Sequence, residues 1–506
     1  MKKIILTLIV ALTLPLLMGF NNYNYSFYGE VISSTPGMIY STYYDSRAIG
    51  TDFGSPSDLY VYEDNVYVVD SQYNHILVLD NTFTNYEIHS EFPYHESFLE
   101  RETEIRNMVE DEELVEQILS NKLNRPMGID IRDTGIYIAD SKNCRVLHLN
   151  FDYEIIGVFF EEETILENVA FEPQKITVDS SGRVYAVVPG VYEGIIELDS
   201  SGSFNRFVGT TKISLTPFEI LRRALMTEAQ KETLNLELST TFTNVNVNER
   251  GFIYATANPT RNNYENMIQL INPKGVDVLK RNGYHEPMGD VNFIPAANNY
   301  TTKVGPSSLV DVAYTENGIY TVLDQKRARL FTYDDEGNLL YINGEATQSG
   351  LTENDKLSSP VAIDYLGDQM LVLDADQRSK KIVVFSLTNF GLKVNEAIKY
   401  HKNGLFEEAA VIWEEVLLLN TNYEIAYNGI GKSLLRQNKY KEAMRNFRLG
   451  HDSYYYSKAF KGYRNEIIRK YFSVAALSII VVAIAIPTTK YVYKKKRGEV
   501  NSNEND

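Results

Sequence analysis

The sequence holds one cysteine, Cys144, so it can form no intrachain disulfide and no cysteine-based metal cage. An exported domain without disulfides suits a bacterium better than a eukaryotic secretory pathway, where such domains are stapled. Positive charge is also scarce: 49 Lys and Arg stand against 67 Asp and Glu, a net charge of −18 that excludes a nucleic-acid role. No serine nucleophile elbow, phosphate loop or Cys/His pair occurs, which argues for a binding protein and not an enzyme. Tryptophan is nearly missing, with Trp413 alone, whereas tyrosine is abundant at 36 residues. Tyrosine suits strand surfaces and surfaces that bind sugars or peptides.

Two long apolar runs are present. Met1, Lys2 and Lys3 precede a run from Ile4 to Leu17, the form of a secretory signal peptide, with Gly19 the nearest small residue. The expected signal segment is residues 1–24, with an uncleaved anchor as the alternative. The second run, Tyr471 to Thr489 ("YFSVAALSIIVVAIAIPTT"), carries no charge. At about 1.5 Å per residue it reaches roughly 28 Å, the hydrocarbon thickness of a bilayer. Tyr471, Tyr491 and Tyr493 flank it as an aromatic belt would, and Lys494 to Arg497 follow. The reading is a single-pass cell-membrane protein with a large external portion and a short cytoplasmic tail, residues 490–506.

Between these runs one pattern recurs. Ser55 to Phe83, "SPSDLYVYEDNVYVVDSQYNHILVLDNTF", matches Arg125 to Tyr153, "RPMGIDIRDTGIYIADSKNCRVLHLNFDY". Each has an alternating apolar strand, a polar turn, a strand ending in Asp, a polar loop and another strand, the hairpin signature. Further copies begin near Pro173, Phe242, Pro306 and Pro360. Six copies at intervals of roughly 45–70 residues have the length of four-stranded blades plus insertions. A blade buries both faces only by stacking in a ring, so the expected fold is mainly β, a six-bladed β-propeller over residues 25–392. The charged, helix-prone stretches near 96–121 and 217–238 read as helical insertions.

Copy two, with Pro126, Gly128, Asp130, "GIYIAD" and Asn143-x-Arg145-Val146, resembles the NHL repeat. Strand-ending Asp70, Asp324 and Asp374 recur in copies one, five and six, whereas Val188 and Ala257 or Asn258 replace it in copies three and four. The resemblance covers residues 50–390 and implies an NHL-type propeller. Each repeated Asp reads as a turn cap.

From residue 393 the period becomes helical. Phe406 and Tyr440, Ala409 and Ala443, and Trp413 and Phe447 are each 34 residues apart, the period of tetratricopeptide repeats. Ala409 and Ala443 allow close helix crossing, with Trp413 and Phe447 as core. These residues, 393–470, form either a docking groove or a stalk before the transmembrane helix at 471–489.

Candidate chemistry is sparse. His75, His89, His95, His148, His285, His401 and His451 occupy no repeated position, which disfavours a histidine-bound metal of the kind found in propeller lyases. No cofactor is expected. Calcium is the one metal left open, on Asp70, Asp140, Asp324 and Asp374, as the lactonases among six-bladed propellers would imply. Binding is expected on the loops after the second strand of each blade. These carry Tyr73, Asn74, Lys142, Asn143, Tyr192, Arg261, Asn262, Tyr264, Lys326, Arg327, Asp376 and Arg378, a set suited to a glycan, a peptide or a protein partner. Proteins resembling this combination accompany membrane transport systems in Firmicutes, notably sugar importers. The resemblance therefore implies a surface receptor or scaffold near a transporter, with a metal-dependent lactonase or hydrolase as the alternative.

Overall fold

The computed structural model describes residues 22–161, 166, 169–209, 241–259, 264–291, 305–347 and 353–502. The expected signal run and the insertion near 217–238 lie outside this set, apart from residues 22–24.

Six antiparallel sheets form the blades of a β-propeller. Their innermost strands are Pro56–Tyr62, Pro126–Arg132, Lys175–Val178, Phe242–Val247, Leu309–Tyr314 and Pro360–Leu366, in blades 1 to 6. Period-two alternation explains the stacking. In the second strand of blade 1, Asn65–Asp70, Val66 and Val68 pack with Leu371, Leu373, Ile382 and Val384 of blade 6. The alternate residues Tyr67 and Val69 pack with Ile129, Ile131, Ile136 and Ile138 of blade 2. Successive side chains of one strand thus serve opposite neighbours. Burial of each such Val or Leu contributes about 1.5–3 kcal/mol.

The ring closes with strands from both ends of the propeller sequence. Met38–Asp45 is the outer strand of blade 6, pairing Asp45 with Lys381 and Met38 with Leu387. Blade 4 has three strands among the described residues. An isolated Ile271–Asp277 bridge and a bond from Val278 N–H to Leu270 O (2.8 Å) stand in place of a fourth.

Exposed strand edges invite pairing with other chains, and two are covered. The helices Leu99–Met108 and Glu112–Ile118 fall within the stretch read as an insertion. With Phe92 and Phe98, their Ile105, Val115 and Ile118 pack beside Ile155 and Val158 of the outer strand of blade 2. Blade 5 is covered by a small hairpin, Tyr23–Tyr25 with Val31–Ser33, where Asn24 Nδ2 donates to Leu340 O (3.3 Å).

The propeller unit ends with the helix Asn389–Lys402, where Asn395 Oδ1 accepts from Tyr341 O–H (3.0 Å) and Lys402 Nζ donates to Glu316 O. A second unit begins at Asn403. It consists of the helices Phe406–Leu419, Glu424–Arg436, Tyr440–Leu449 and Ser453–Ser502. Ala409, Trp413, Ala443 and Phe447 are all buried. Each large ring meets a glycine: a Cβ on Gly429 would overlap Trp413, and one on Gly431 would overlap Phe447. The last helix is long and apolar enough to cross a membrane.

Candidate functional site

The strand-ending aspartates bind backbone. Asp70 accepts from the N–H groups of Gly54 (2.5 Å), Ser55 (2.9 Å), Gln72 (3.1 Å) and Tyr73 (3.0 Å). Asp374 accepts from Ser358 and Ser359 N–H, both at 2.8 Å. Asp324 takes Ser307 O–H (2.7 Å) and Ser308 N–H (3.0 Å). Asp140 takes Asn124 N–H (2.8 Å), Asn143 Nδ2 (2.8 Å) and Arg145 Nε (2.9 Å), and both it and Arg145 are fully buried. Each carboxylate ties the end of a blade's second strand to the chain entering that blade. These hydrogen bonds fit the turn-capping role read for the repeated aspartates.

The channel along the propeller axis is lined by other residues. Each inner strand sends a side chain to the next blade's inner strand. Asp58 accepts from Ile129 N–H (3.0 Å), and Asp130 from Val178 N–H (2.5 Å). Thr177 accepts from Val247 N–H (3.0 Å), and Asn246 donates to Val312 O (3.2 Å). Asp311 accepts from Ile363 N–H (2.6 Å), and Asp364 from Val61 N–H (2.7 Å). The circuit of six blades is complete. A neutral bond of this kind stabilises by about 0.5–1.5 kcal/mol and one to an ionised carboxylate by about 1.5–3 kcal/mol.

Two cations sit among these carboxylates. Lys175 Nζ pairs with Asp58 and donates to Ser57 O (3.3 Å). Arg132 donates to Asp130 (3.0 Å), Thr177 Oγ1 (3.0 Å) and Val247 O (3.2 Å). The free space left at this level is about 20 Å³, room for one water molecule. Asp130 Oδ1 lacks a protein partner and suits such a water. Burial pushes Asp311 and Asp364 up to about 7, and raises Asp58 against the pull of Lys175. The sequence signal for this ring was an acidic residue inside an otherwise apolar strand, as in "SDLYV", "GIDIR", "LVDVA" and "AIDYL".

The loops after the second and fourth strands of the blades gather on one face, and the turns after the first and third strands on the other. Tyr73 and Tyr192 project at 46% and 40% exposure. Lys142 pairs with Glu172 (2.6 Å), Arg378 with Asp376 (2.9 Å), and Lys326 Nζ reaches Pro306 O (3.0 Å). Asn74 Oδ1 accepts from Arg125 N–H (2.7 Å). Three of the expected residues are structural. Asn143 is buried against Asp140, Arg327 is fully buried beside Asp290 and Asp324, and Tyr264 packs on the core of blades 4 and 5. Arg261 and Asn262 lie outside the described residues.

One cluster had no sequence signal. Tyr23 and Tyr25 both donate to Asp290 (2.5 Å each), and Tyr25 stacks on His285 at 3.9 Å. The expected signal boundary at residue 24 falls inside this buried strand.

No family model and no curated protein matches the chain. Solved structures similar to it include a streptogramin B lyase, at 10% identity and TM-score 0.36 over 73% of this chain and 99% of that one. Another is an auxiliary nutrient binding protein from Bacteroides thetaiotaomicron, at 10% identity and TM-score 0.38 over 66% of this chain and 70% of that one. A third, the extracellular domain of a one-component system from the same organism, has 10% identity and TM-score 0.34 over 68% of this chain and 37% of that one. Similarity at this level carries no functional information.

Proposed function

We propose that this chain is a membrane-anchored binding or scaffold protein, with the propeller outside the cell and the final helix in the cell membrane. The loop face holds a glycan, a peptide or a protein partner. The observation that carries this reading is the bonding of the channel side chains. Its carboxylates are committed to the next blade's backbone and to Lys175 and Arg132, which supports a structural role for them. A surface of exposed tyrosines and paired charges suits an extended partner, through stacking and forked hydrogen bonds.

The remaining assignments rest on sequence. The six-copy pattern supports an NHL-type propeller, the 34-residue period supports tetratricopeptide-like helices, and together they support an accessory role beside a membrane transport system in a Firmicutes-like bacterium. Photo-crosslinking residues placed at Tyr73 and Tyr192 in the intact membrane protein test the binding face. Adducts at these sites, and none at Lys274 on the turn face, are the expected result. Calcium-dependent lactone turnover by the purified chain, lost in Asp58→Asn/Asp311→Asn, would replace the reading with a hydrolase.

A further inference from the structure

Helix packing within the C-terminal unit fixes which of its ends faces the membrane. Helix Tyr440–Leu449 runs antiparallel to the start of helix Ser453–Ser502. Phe447 stacks on Tyr455 (5.6 Å), Arg448 donates to the Tyr456 hydroxyl (3.2 Å), and Gly462 lies so close to the Tyr440 ring that a Cβ would overlap it. Helix Glu424–Arg436 is antiparallel in turn, with Gly431 against Phe447 and Asn428 Nδ2 donating to Gly450 O (2.8 Å). The turn joining these two helices, residues 436–441, is thus level with Gly462.

The long helix is unbroken from Ser453 onward. Nine residues separate Gly462 from Tyr471, where the apolar run begins, a rise of roughly 14 Å. A headgroup layer occupies about 5–8 Å on each side of the hydrocarbon. Arg464, at roughly 10 Å, and the 436–441 turn, at roughly 14 Å, therefore stand above the headgroups within reach of extended Lys and Arg side chains, and the helix from Glu466 to Lys470 passes through them.

This end of the unit is basic in a chain of net charge −18. Lys439, Lys441, Lys461, Arg464, Arg469 and Lys470 are all exposed. The acidic residues at the same level are Glu407, Glu408, Glu442 and Glu466, so cations are in excess even before Arg436, which stacks over Phe406 at 4.4 Å. Lys461, Arg464 and Ile468 follow one helical face away from the packed helices, and Phe472 continues it into the bilayer.

We propose that this basic end rests on the leaflet outside the cell and binds anionic phospholipid headgroups. Clustered Lys and Arg beside a membrane span attract such lipids. The inference rests on the reading of the last helix as a membrane span. Contact at both the turn and the helix would hold the helical unit upright on the surface.

The test uses the full chain in nanodiscs of phosphatidylcholine with one part in four phosphatidylglycerol, and counts lipids retained on the protein by native mass spectrometry. Phosphatidylglycerol enriched at least threefold over its bulk share is the expected result. That enrichment should fall by half or more in Lys439→Gln/Lys441→Gln/Lys461→Gln/Arg464→Gln, whose changes are all on exposed side chains. Enrichment absent from the wild type overturns the proposal. So does enrichment that survives this variant and is abolished by neutralising Lys494 to Arg497 on the other side of the span. Alkaline carbonate extraction separates the two claims: a chain released from membranes fails both, and a chain retained without enrichment fails only this one.

Discussion

Lys175 of blade 3 reaches the carboxylate of Asp58 in blade 1, so one ion pair joins inner strands two blades apart. Asp311, from blade 5, also feels Lys175. The side chains of three alternate blades thus share one cation at the centre of the ring.

Removing that cation strands buried carboxylates. Lys175→Met should cost about 3 kcal/mol in urea unfolding, because an unpaired buried charge is dearer than a missing pair. Adding Asp58→Asn should recover part of the loss, the signature of direct coupling. Equal costs for the single and double variants would mean that the pair does not matter to the ring.

The channel also sets a pH dependence. Asp364 and Asp311 are held near 7 by burial, above the ordinary carboxylate value near 4. A carboxyl group whose folded pKa is raised contributes stability fully present below about pH 4 and lost as pH rises through about 7. Stability should therefore decline from pH 5 to pH 8. Asp364→Asn, which retains an acceptor for Val61 N–H but loses one for Tyr365 N–H, should be more stable relative to the wild type at pH 8 than at pH 5 by about 2 kcal/mol. Thermal unfolding at the two pH values measures this difference.

Much of this was legible in the sequence, for a physical reason. Alternation in "NVYVVD" and "GIYIAD" encodes both faces of a blade, and the following loop residues set the Asp70 and Asp140 caps. The acidic channel residues went unread: Asp58 and Asp130 interrupt apolar strands, but their register opposite the next blade's N–H groups depends on closure of the ring. Tyr23 and Tyr25 lie more than 260 residues from Asp290, and no local pattern links the start of the described chain to a loop before blade 5. Arg327 looks like a ligand-binding loop arginine until its neighbours Asp290 and Asp324 are placed.

Cap residues and face residues should separate cleanly. Asp140→Ala leaves Arg145 fully buried without its partner and should cost about 3–5 kcal/mol, with a large fall in Tm. Tyr73→Ala/Tyr192→Ala/Arg378→Ala should change Tm by little, as exposed substitutions do, while reducing recovery of the partner in pull-down from membranes severalfold.

The hairpin at the start of the described chain constrains processing. Tyr23 and Tyr25 share the Asp290 carboxylate, so cleavage of the proposed signal segment should fall on the N-terminal side of Tyr23. N-terminal sequencing of the protein from membranes should find Tyr23 retained. Tyr23→Phe/Tyr25→Phe should cost about 2–3 kcal/mol by leaving Asp290 under-bonded.

Membrane-impermeant maleimide labelling of intact cells tests the orientation on which the proposed function depends. In a Cys144→Ser background, Lys274→Cys on an exposed propeller turn should label at once. Lys496→Cys, beyond the apolar helix, should label only after permeabilisation. Labelling of Lys496→Cys in intact cells, with Lys274→Cys protected, would place the propeller inside and contradict a receptor facing outward.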